Sequence, residues 1–228
     1  MTIPYIAPGS PPAFPDPVAA TDDLVAVGAD LEPERVLFGY ELGIFPWYGE
    51  DELPLWWCPD PRAVLHANDL HVSRSMKRVL ARHDFRLTWN HCFERVMREC
   101  SRDRPDGMWI HDDMVTSYVE LHGRGHAHSL EVWNGDRLVG GIYGVQCGSL
   151  FAAESKFHRV TDMSKVALIA LVRSLERAGI DLIDVQLMTP HLASLGVTEW
   201  PRARYLAHLD RVKSIPVDLS SLEPSVSP

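Results

Sequence analysis

The strongest constraint on the fold is a buried helix followed at once by a buried strand. Asp162 is suited to cap a helix that reaches about Ala178, and Gly179 ends it. Residues 180–187 then form a largely apolar segment of strand length. Apolar side chains occupy both sides of the helix, so it must pack against other elements on nearly every side. These apolar residues are Met163, Val166, Ala167, Leu168, Ile169, Ala170, Leu171, Val172 and Leu175.

A change of periodicity predicts the rest of the sheet. Residues 129–134 alternate between apolar and polar, Asn134-Gly135-Asp136 is typical of a hairpin turn, and residues 137–147 and 150–154 indicate further strands. Helical patterns precede them at about 72–82, 91–100 and 112–123. Strand hairpins that share a core with helices predict a mixed α/β (α+β) fold.

The N-terminal part differs from the rest in composition. Residues 1–17 contain six prolines and predict an extended arm. Pro33 and nearby acids then favour a helix to about Leu42, stopped by Gly43. Residues 55–62 crowd two Trp against two Pro. We therefore expect a small N-terminal domain over residues 1–62, a larger domain over 63–212 and a tail over 213–228.

Two polar residues interrupt the apolar strand at 180–187. Asp184 and Gln186 should share one face, roughly 7 Å apart, and leaving them unpaired in a core would cost about 2 kcal/mol or more. One interpretation is a structural pair that anchors a loop. The other is functional, because Glu154 ends another strand directly before a predicted turn at 155–157. Two acids and an amide could hold and deprotonate an amine.

The charge distribution is compatible with a polyanionic partner. A formal net charge of -9 argues against a general nucleic-acid binder, but residues 61–104 carry ten basic residues against five acids. Arg74, Lys77 and Arg78 could steer a polyanion, or they could form an ordinary solvated helix face. Trp47 and Trp109 lie in loop-like segments and could clamp an unstacked base, with simple packing as the alternative.

Other classes of site find little support in the sequence. His122, His126 and His128 straddle a glycine-rich helix end without an HExxH motif or a cysteine partner, so we expect no metal. Nothing resembles a nucleophile elbow, which leaves covalent catalysis unsupported. The four cysteines lack CxxC spacing, and neither a leader nor a membrane-length apolar run is apparent. We therefore expect a cytoplasmic protein without a membrane contact.

Eight motifs together resemble the leucyl/phenylalanyl-tRNA-protein transferase family. Their order and spacing follow the family from about residue 14 to 209. The motifs are residues 43–48 (GIFPWY), 56–62 (WWCPDPR), 125–129 (GHAHS), 131–133 (EVW), 140–145 (GGIYGV), 154–157 (ESKF), 164–165 (SK) and 191–196 (HLASLG).

The resemblance implies both a fold and a reaction. It implies a small N-terminal domain joined to a GNAT-like, that is acetyltransferase-like, domain. The implied reaction moves leucine or phenylalanine from the 3′ end of its tRNA to the α-amino group of proteins that begin with Lys or Arg, which marks them for degradation. Because the aminoacyl ester is already activated, no ATP, metal or other cofactor is implied. We expect a monomer.

The resemblance also implies roles for residues. By position, Asp184 and Gln186 match a pair that assists the acceptor amine, and Glu154 matches an acid beside them. Trp47 and Trp109 match the pair that holds the terminal adenosine of tRNA. The aminoacyl pocket would be lined by Ile142, Ala153, Leu168, Leu171, Leu175 and Ile183.

Two positions depart from the family pattern. Val185 replaces a cysteine common between the acid and the amide, and we expect its side chain to face away from both. Lys156 stands where a methionine usually lines the pocket, and an ammonium beside a leucine side chain would be costly to bury. Its stem could instead carry the charge outward.

Two alternatives share parts of this pattern. An acyl-CoA N-acetyltransferase would have the same fold, but residues 159–165 contain no glycine and carry an acid where such enzymes cradle a pyrophosphate. A non-catalytic RNA-binding module would use the basic stretch and the tryptophans. It would leave Glu154, Asp184 and Gln186 without a purpose.

Overall fold

The N-terminal part of the chain forms a small sheet of its own. The structure is a computed structural model and describes residues 3–82, 84–102 and 109–227. The first elements are strands β1 (Tyr5–Ile6) and β2 (Leu24–Gly28), helix α1 (Pro33–Glu41), and strands β3 (Phe45–Pro46) and β4 (Leu55–Trp57). The four strands pair in the order β1-β2-β4-β3.

A larger mixed sheet contains the remaining strands. Its order is β11-β5-β10-β9-β8-β7-β6, with β9 and β10 parallel and the other pairs antiparallel. The elements in chain order are β5 (Arg62–His66), a 3-10 turn (Ala67–Asp69), α2 (Arg74–Ala81), β6 (Arg86–Trp89), α3 (Phe93–Ser101), α4 (Asp112–Gly123), β7 (Ala127–Asn134), β8 (Arg137–Cys147), β9 (Leu150–His158), α5 (Met163–Arg177), β10 (Leu182–Gln186), α6 (Pro190–Ala193), β11 (Thr198–Trp200) and α7 (Arg202–Val212).

Each face of the large sheet is covered by its own apolar core. The first core joins the sheet to the N-terminal unit and includes Tyr40, Trp56 and Tyr118. The second core lies under α5 and includes Phe151 and Ile183. Helix α5 packs on β7, β8 and β9, which explains why its sequence is apolar on nearly every side. A sheet sharing its cores with helices confirms the predicted mixed α/β fold and agrees with the implied acetyltransferase-like domain.

Several predicted elements are confirmed, and one is wrong. The helix at 112–123 and the strand at 137–147 have the predicted bounds, and Gly135 takes the positive φ of 54° that the hairpin turn requires. The turn predicted at 155–157 does not exist: β9 continues to His158, because these residues pair with β8 through Tyr143–Ser155 and Gly141–Phe157. Along the described residues, every helix is too short or too polar to cross a bilayer.

Candidate active site

The candidate active site is organised around a carboxylate on β10. Asp184 is fully buried (0% exposed), as is Arg62 of β5 (1%). Arg62 Nε donates to Asp184 Oδ1 at 2.8 Å and Arg62 Nη2 to Asp184 Oδ2 at 2.6 Å. Tyr205 Oη of α7 donates to the same Oδ2 at 2.8 Å. The two-point geometry and the extra hydrogen bond offset the cost of desolvating both charges.

A bulge at Val185 sets the conformation of the next residue. Asp184 pairs with Val64 and Gln186 with Ala63, so Val185 is the extra residue on β10. Gln186 has a φ of 66°, in the left-handed region that non-glycine residues seldom adopt. Its backbone N–H donates to Asp184 Oδ1 at 2.9 Å. Asp184 therefore accepts four hydrogen bonds, which fill its capacity and leave it unsuited to take a proton from a substrate.

Glu154 sits on a second bulge, in the adjacent strand β9. Gly144 pairs with Ala153 and Tyr143 with Ser155, so Glu154 has no partner on β8. Gly144 is required at this point, because a Cβ there would overlap the carbonyl oxygen of Ala152. The bulge turns the Glu154 carboxyl toward Gln186 of the parallel strand, and Gln186 Nε2 donates to Glu154 Oε1 at 2.6 Å.

The surroundings of Glu154 favour its protonated form. Burial raises the pKa of Glu154 to about 8, and the charge of Asp184 adds to the increase. Hydrogen bonds from Tyr40 and Gln186 and the charge of Arg62 act in the opposite direction. Tyr40 Oη also lies 2.6 Å from Tyr118 Oη, and burial raises the pKa of both phenols well above the usual range. Glu154 is thus the carboxyl group in this cluster that can exchange a proton near neutral pH.

The residues assigned to the aminoacyl pocket lie together but are closely packed. Five of them are 0–2% exposed within the second core, and Ala153 packs against it; the five are Ile142, Leu168, Leu171, Leu175 and Ile183. Lys156 is partly buried and pairs with Ile142 on β8. Its side chain faces the α5 side. Burial is the main cause of the lowered pKa of His191, and the charge of Lys156 adds to that decrease.

The two candidate tryptophans occupy neighbouring segments. Trp47 follows β3 and is 41% exposed, and its carbonyl accepts a hydrogen bond from Trp57 Nε1 at 2.7 Å. The next carbonyl, of Tyr48, accepts from His111 Nε2 at 3.1 Å. Trp109 precedes His111 by two residues and packs against the first core. The loop after β3 and the approach to α4 are therefore adjacent.

The candidate basic residues share the exposed side of α2. Arg74, Lys77 and Arg78 are exposed, whereas Met76 and Leu80 of the same helix are buried. Within the described part of the chain, none of the three cations forms an ion pair. Some other surface arginines are paired, as Arg98 is with Glu94 and Asp112.

The histidine cluster serves the packing of the sheet. His128 lies between Asn90 and Gln146 at 3.0 and 3.2 Å, and burial lowers its pKa to about 4. His122 Nδ1 lies 2.8 Å from the carbonyl of Ala127, and its ring stacks on Phe93. Among the residues described, no group of three potential ligands could hold a metal ion.

Four residues of the site were not assigned from the sequence. Arg62 ends the WWCPDPR motif. The motif drew attention to this part of the chain but did not indicate that Arg62 pairs with Asp184, 122 positions away. Tyr40, Tyr118 and Tyr205 lie on three helices whose apolar patterns gave no reason to single out a phenol. Only the folded chain brings them to Asp184 and Glu154.

Comparison with known proteins covers almost the whole chain. Residues 29–60 and 64–210 match the N-terminal and main profiles described as leucyl/phenylalanyl-tRNA protein transferase. A protein of that name from Anaeromyxobacter sp. (strain K) is 51% identical over 209 residues, covering 90% of each chain. One from Yersinia enterocolitica is 48% identical over 208 residues, covering 90% of this chain and 88% of the relative.

A solved structure adds only a distant likeness. The structure of L-PGS from Bacillus licheniformis has a TM-score of 0.41 and 11% identity, covering 73% of this chain and 55% of that one. The sequence matches carry the assignment instead, since they span both parts of the chain at about half identity. The chain belongs to the leucyl/phenylalanyl-tRNA protein transferase family.

Proposed function

We propose that this chain transfers leucine or phenylalanine from aminoacyl-tRNA to the α-amino group of proteins that begin with Lys or Arg, so marking them for degradation. Membership of the family supports the reaction class. The observation that carries the site is the Glu154–Gln186 hydrogen bond, formed where two parallel strands each contain a bulge. Two bulges that converge on one carboxyl group indicate a positioned reactive group.

Two protons must leave the acceptor nitrogen during the transfer. The acceptor amine is an ammonium ion at low pH and must lose a proton before its nitrogen attacks the ester carbonyl. The C–N bond forms, the C–O bond to the terminal ribose breaks, and the ribose oxygen leaves with the second proton from the nitrogen. Because α-amino groups titrate at about 7.7 to 8.0, Glu154 with a pKa of about 8 is matched to receive the first proton.

Asp184 and Gln186 have supporting roles in this proposal. Asp184 is occupied by Arg62, Tyr205 and the Gln186 backbone, so it acts by orientation. Gln186 holds the Glu154 carboxyl toward the reacting amine and can hydrogen-bond the developing tetrahedral centre. Proper orientation of the two reactants supplies much of the remaining rate enhancement.

The tRNA would be held at two places. Trp47 and Trp109 would stack on the terminal adenosine, as aromatic rings do with unpaired bases. Arg74, Lys77 and Arg78 would contact phosphates, since their charges are not already neutralised by carboxylates. Binding of this kind is strongly salt-dependent.

The aminoacyl side chain would enter the second core beside Ala153. The packed side chains there must separate to admit a leucine, which puts the opening near Lys156 at the edge of the cluster. Replacing Lys156 by Met should change the ranking of donor amino acids. An unchanged ranking would place the lysine outside the pocket.

We further propose that the chain works as a cytoplasmic monomer without a cofactor. The ester itself supplies the free energy of the transfer. Residues 1–62 and 63–212 would be the functional units, with residues 213–228 as a tail.

One assay tests the proposed function against its rivals. The protein is incubated with radiolabelled leucyl-tRNA, phenylalanyl-tRNA or acetyl-CoA and with two peptides that differ only in beginning with Arg or Glu. We expect label on the Arg peptide from either tRNA and little on the Glu peptide. Label from acetyl-CoA alone, or from no donor, would reject the proposal.

A further inference from the structure

Arg62 links the N-terminal unit to the candidate active site through hydrogen bonds and ring contacts. Its Nη1 donates to the carbonyl of Gly43 at 3.1 Å. Its guanidinium lies 4.8 Å from the ring centroid of Phe45 and 4.7 Å from that of Tyr205. With Nε and Nη2 on Asp184, the planar group is fixed along its edge and packs beside two aromatic rings.

The position of Arg62 determines where the Asp184 carboxylate lies. Asp184 in turn holds the backbone N–H of Gln186 at 2.9 Å, while Gln186 keeps its unfavourable φ of 66°. A non-glycine residue persists in that region only where its surroundings enforce it. The same conformation carries Gln186 Nε2 to within 2.6 Å of Glu154. The contacts therefore form one chain from Arg62 to Glu154.

We infer that Arg62 is a positioning residue for aminoacyl transfer, acting through Asp184 and the backbone of Gln186 to hold the Gln186 amide on Glu154. This inference rests on the proposed function. In this arrangement the buried Arg62–Asp184 ion pair, rather than packing of the loop, fixes the orientation of the strained Gln186. Tyr205 also helps to position Asp184, because it donates to the Asp184 oxygen that Arg62 Nη2 also contacts.

The matched variants are Arg62→Lys and Arg35→Lys. Arg35 is also buried and paired with a carboxylate, Asp30, at 2.9 Å, but its contacts lie within the N-terminal unit. Both changes keep the charge and remove the planar fork. We expect Arg62→Lys to slow single-turnover transfer by about 30-fold, because small misplacements of reacting groups have effects of this order. The Kd for leucyl-tRNA should change by less than about twofold, since phosphate contacts dominate it, and Arg35→Lys should transfer at the wild-type rate.

A double-mutant cycle separates positioning from simple loss of stability. If Arg62 acts through Gln186, Arg62→Lys should have little further effect in a Gln186→Ala background, so the double variant transfers about as fast as Gln186→Ala alone. Multiplying effects would overturn the inference, as would a wild-type rate for Arg62→Lys or an equal loss in Arg35→Lys.

A milder change covers the case in which Arg62→Lys does not fold. Tyr205→Phe keeps the ring and removes one hydrogen bond to Asp184, and we expect it to slow transfer by about threefold to tenfold for the same geometric reason, again with no added effect over Gln186→Ala. If the wild-type protein transfers nothing, the proposed function fails and the inference falls with it. If the wild type transfers and Tyr205→Phe is unimpaired, only the inference fails.

Discussion

At the scale of single residues, the site contains two carboxyl groups whose surroundings give them different roles. Asp184 faces the Arg62 charge and is saturated with hydrogen bonds. Glu154 has neutral partners, Gln186 and Tyr40, and burial raises its pKa to about 8. Asp184 is therefore held by its hydrogen bonds, whereas Glu154 is able to exchange a proton.

The first prediction concerns the dependence of transfer on Glu154. Glu154→Gln cannot receive a proton, so single-turnover transfer at pH 8 should fall by roughly 100-fold or more, the usual contribution of a general base. The remaining rate should follow only the ionisation of the acceptor amine. Rates are measured from pH 6 to 9 with spontaneous ester hydrolysis subtracted. A variant that retains the wild-type rate would contradict the role of Glu154.

The second prediction concerns stability and pH. The pKa of Glu154 is raised from 4.5 to about 8 on folding, so between these values the folded state holds a proton that the unfolded state has lost. The contribution of Glu154 to the free energy of unfolding should therefore fall as pH rises from about 5 to 8. Glu154→Gln lacks this titration and should gain roughly 1 to 3 kcal/mol relative to wild type over that interval. Urea denaturation at pH 5 and pH 8.5 measures the difference, and parallel curves would contradict it.

At the scale of elements, the sequence predicted long periodic segments well and irregular ones poorly. Helix α4 and strand β8 have many residues in phase, so their bounds were clear. Strand β3 has two residues and β4 has three, which is too few to show a periodicity. Their pairing depends on the tertiary structure. The bulges at Val185 and Glu154 arise from strand pairing, which no local pattern specifies. Asp184, Gln186 and Glu154 could be singled out, but their partners could not.

The third prediction belongs to helix α2. Changing Arg74, Lys77 and Arg78 together to Gln should weaken tRNA binding and reduce the slope of log K against log salt by roughly 2 to 3, with little change in the single-turnover rate at saturation. The matched control changes Arg98, Arg102 and Arg124 to Gln, because these three carry the same charge but are already paired with carboxylates. Equal losses from both variants would mean that only net charge matters.

The fourth prediction belongs to the C-terminal segment after α7. Leu219 is 2% exposed, and its carbonyl accepts from Trp89 Nε1 at 2.8 Å, while Gln146 Nε2 donates to the carbonyl of Val217 at 2.8 Å. Leu219→Ala should lower the free energy of unfolding by about 2 to 4 kcal/mol through the cavity it leaves. Exposed Ser220→Ala is the control and should have little effect. A loss below about 0.5 kcal/mol for Leu219→Ala would show that the segment is detached in solution.

At the scale of the whole molecule, the small sheet and the large sheet share their first core. Tyr40 of α1 contacts Tyr118 of α4 at 2.6 Å, and Arg62 joins Gly43 to Asp184. The change in composition near residue 62 marked a boundary in the sequence. Side chains from both sides of that boundary are buried in one cluster. The sequence could not predict this, because it depends on which faces of the two sheets and their helices pack together.

The fifth prediction follows from this shared core. The chain should unfold in one transition, with equal calorimetric and van't Hoff enthalpies, because neither sheet can lose its contacts without exposing the other. Differential scanning calorimetry provides the measurement. Two resolved transitions would show that the N-terminal unit melts on its own.

The bulge in β9 also decides to which side of the sheet every later residue of that strand belongs. In an unbroken strand Lys156 would point the same way as Ala152, into the first core, and Phe157 would point toward α5. The extra residue exchanges these sides, so Phe157 reaches the first core and Lys156 joins Ala153 on the α5 side. Regular pairing of these same residues, without the bulge, would therefore do more than move a carboxyl group. It would drive an ammonium into the core shared by the two sheets and expel an aromatic ring from it.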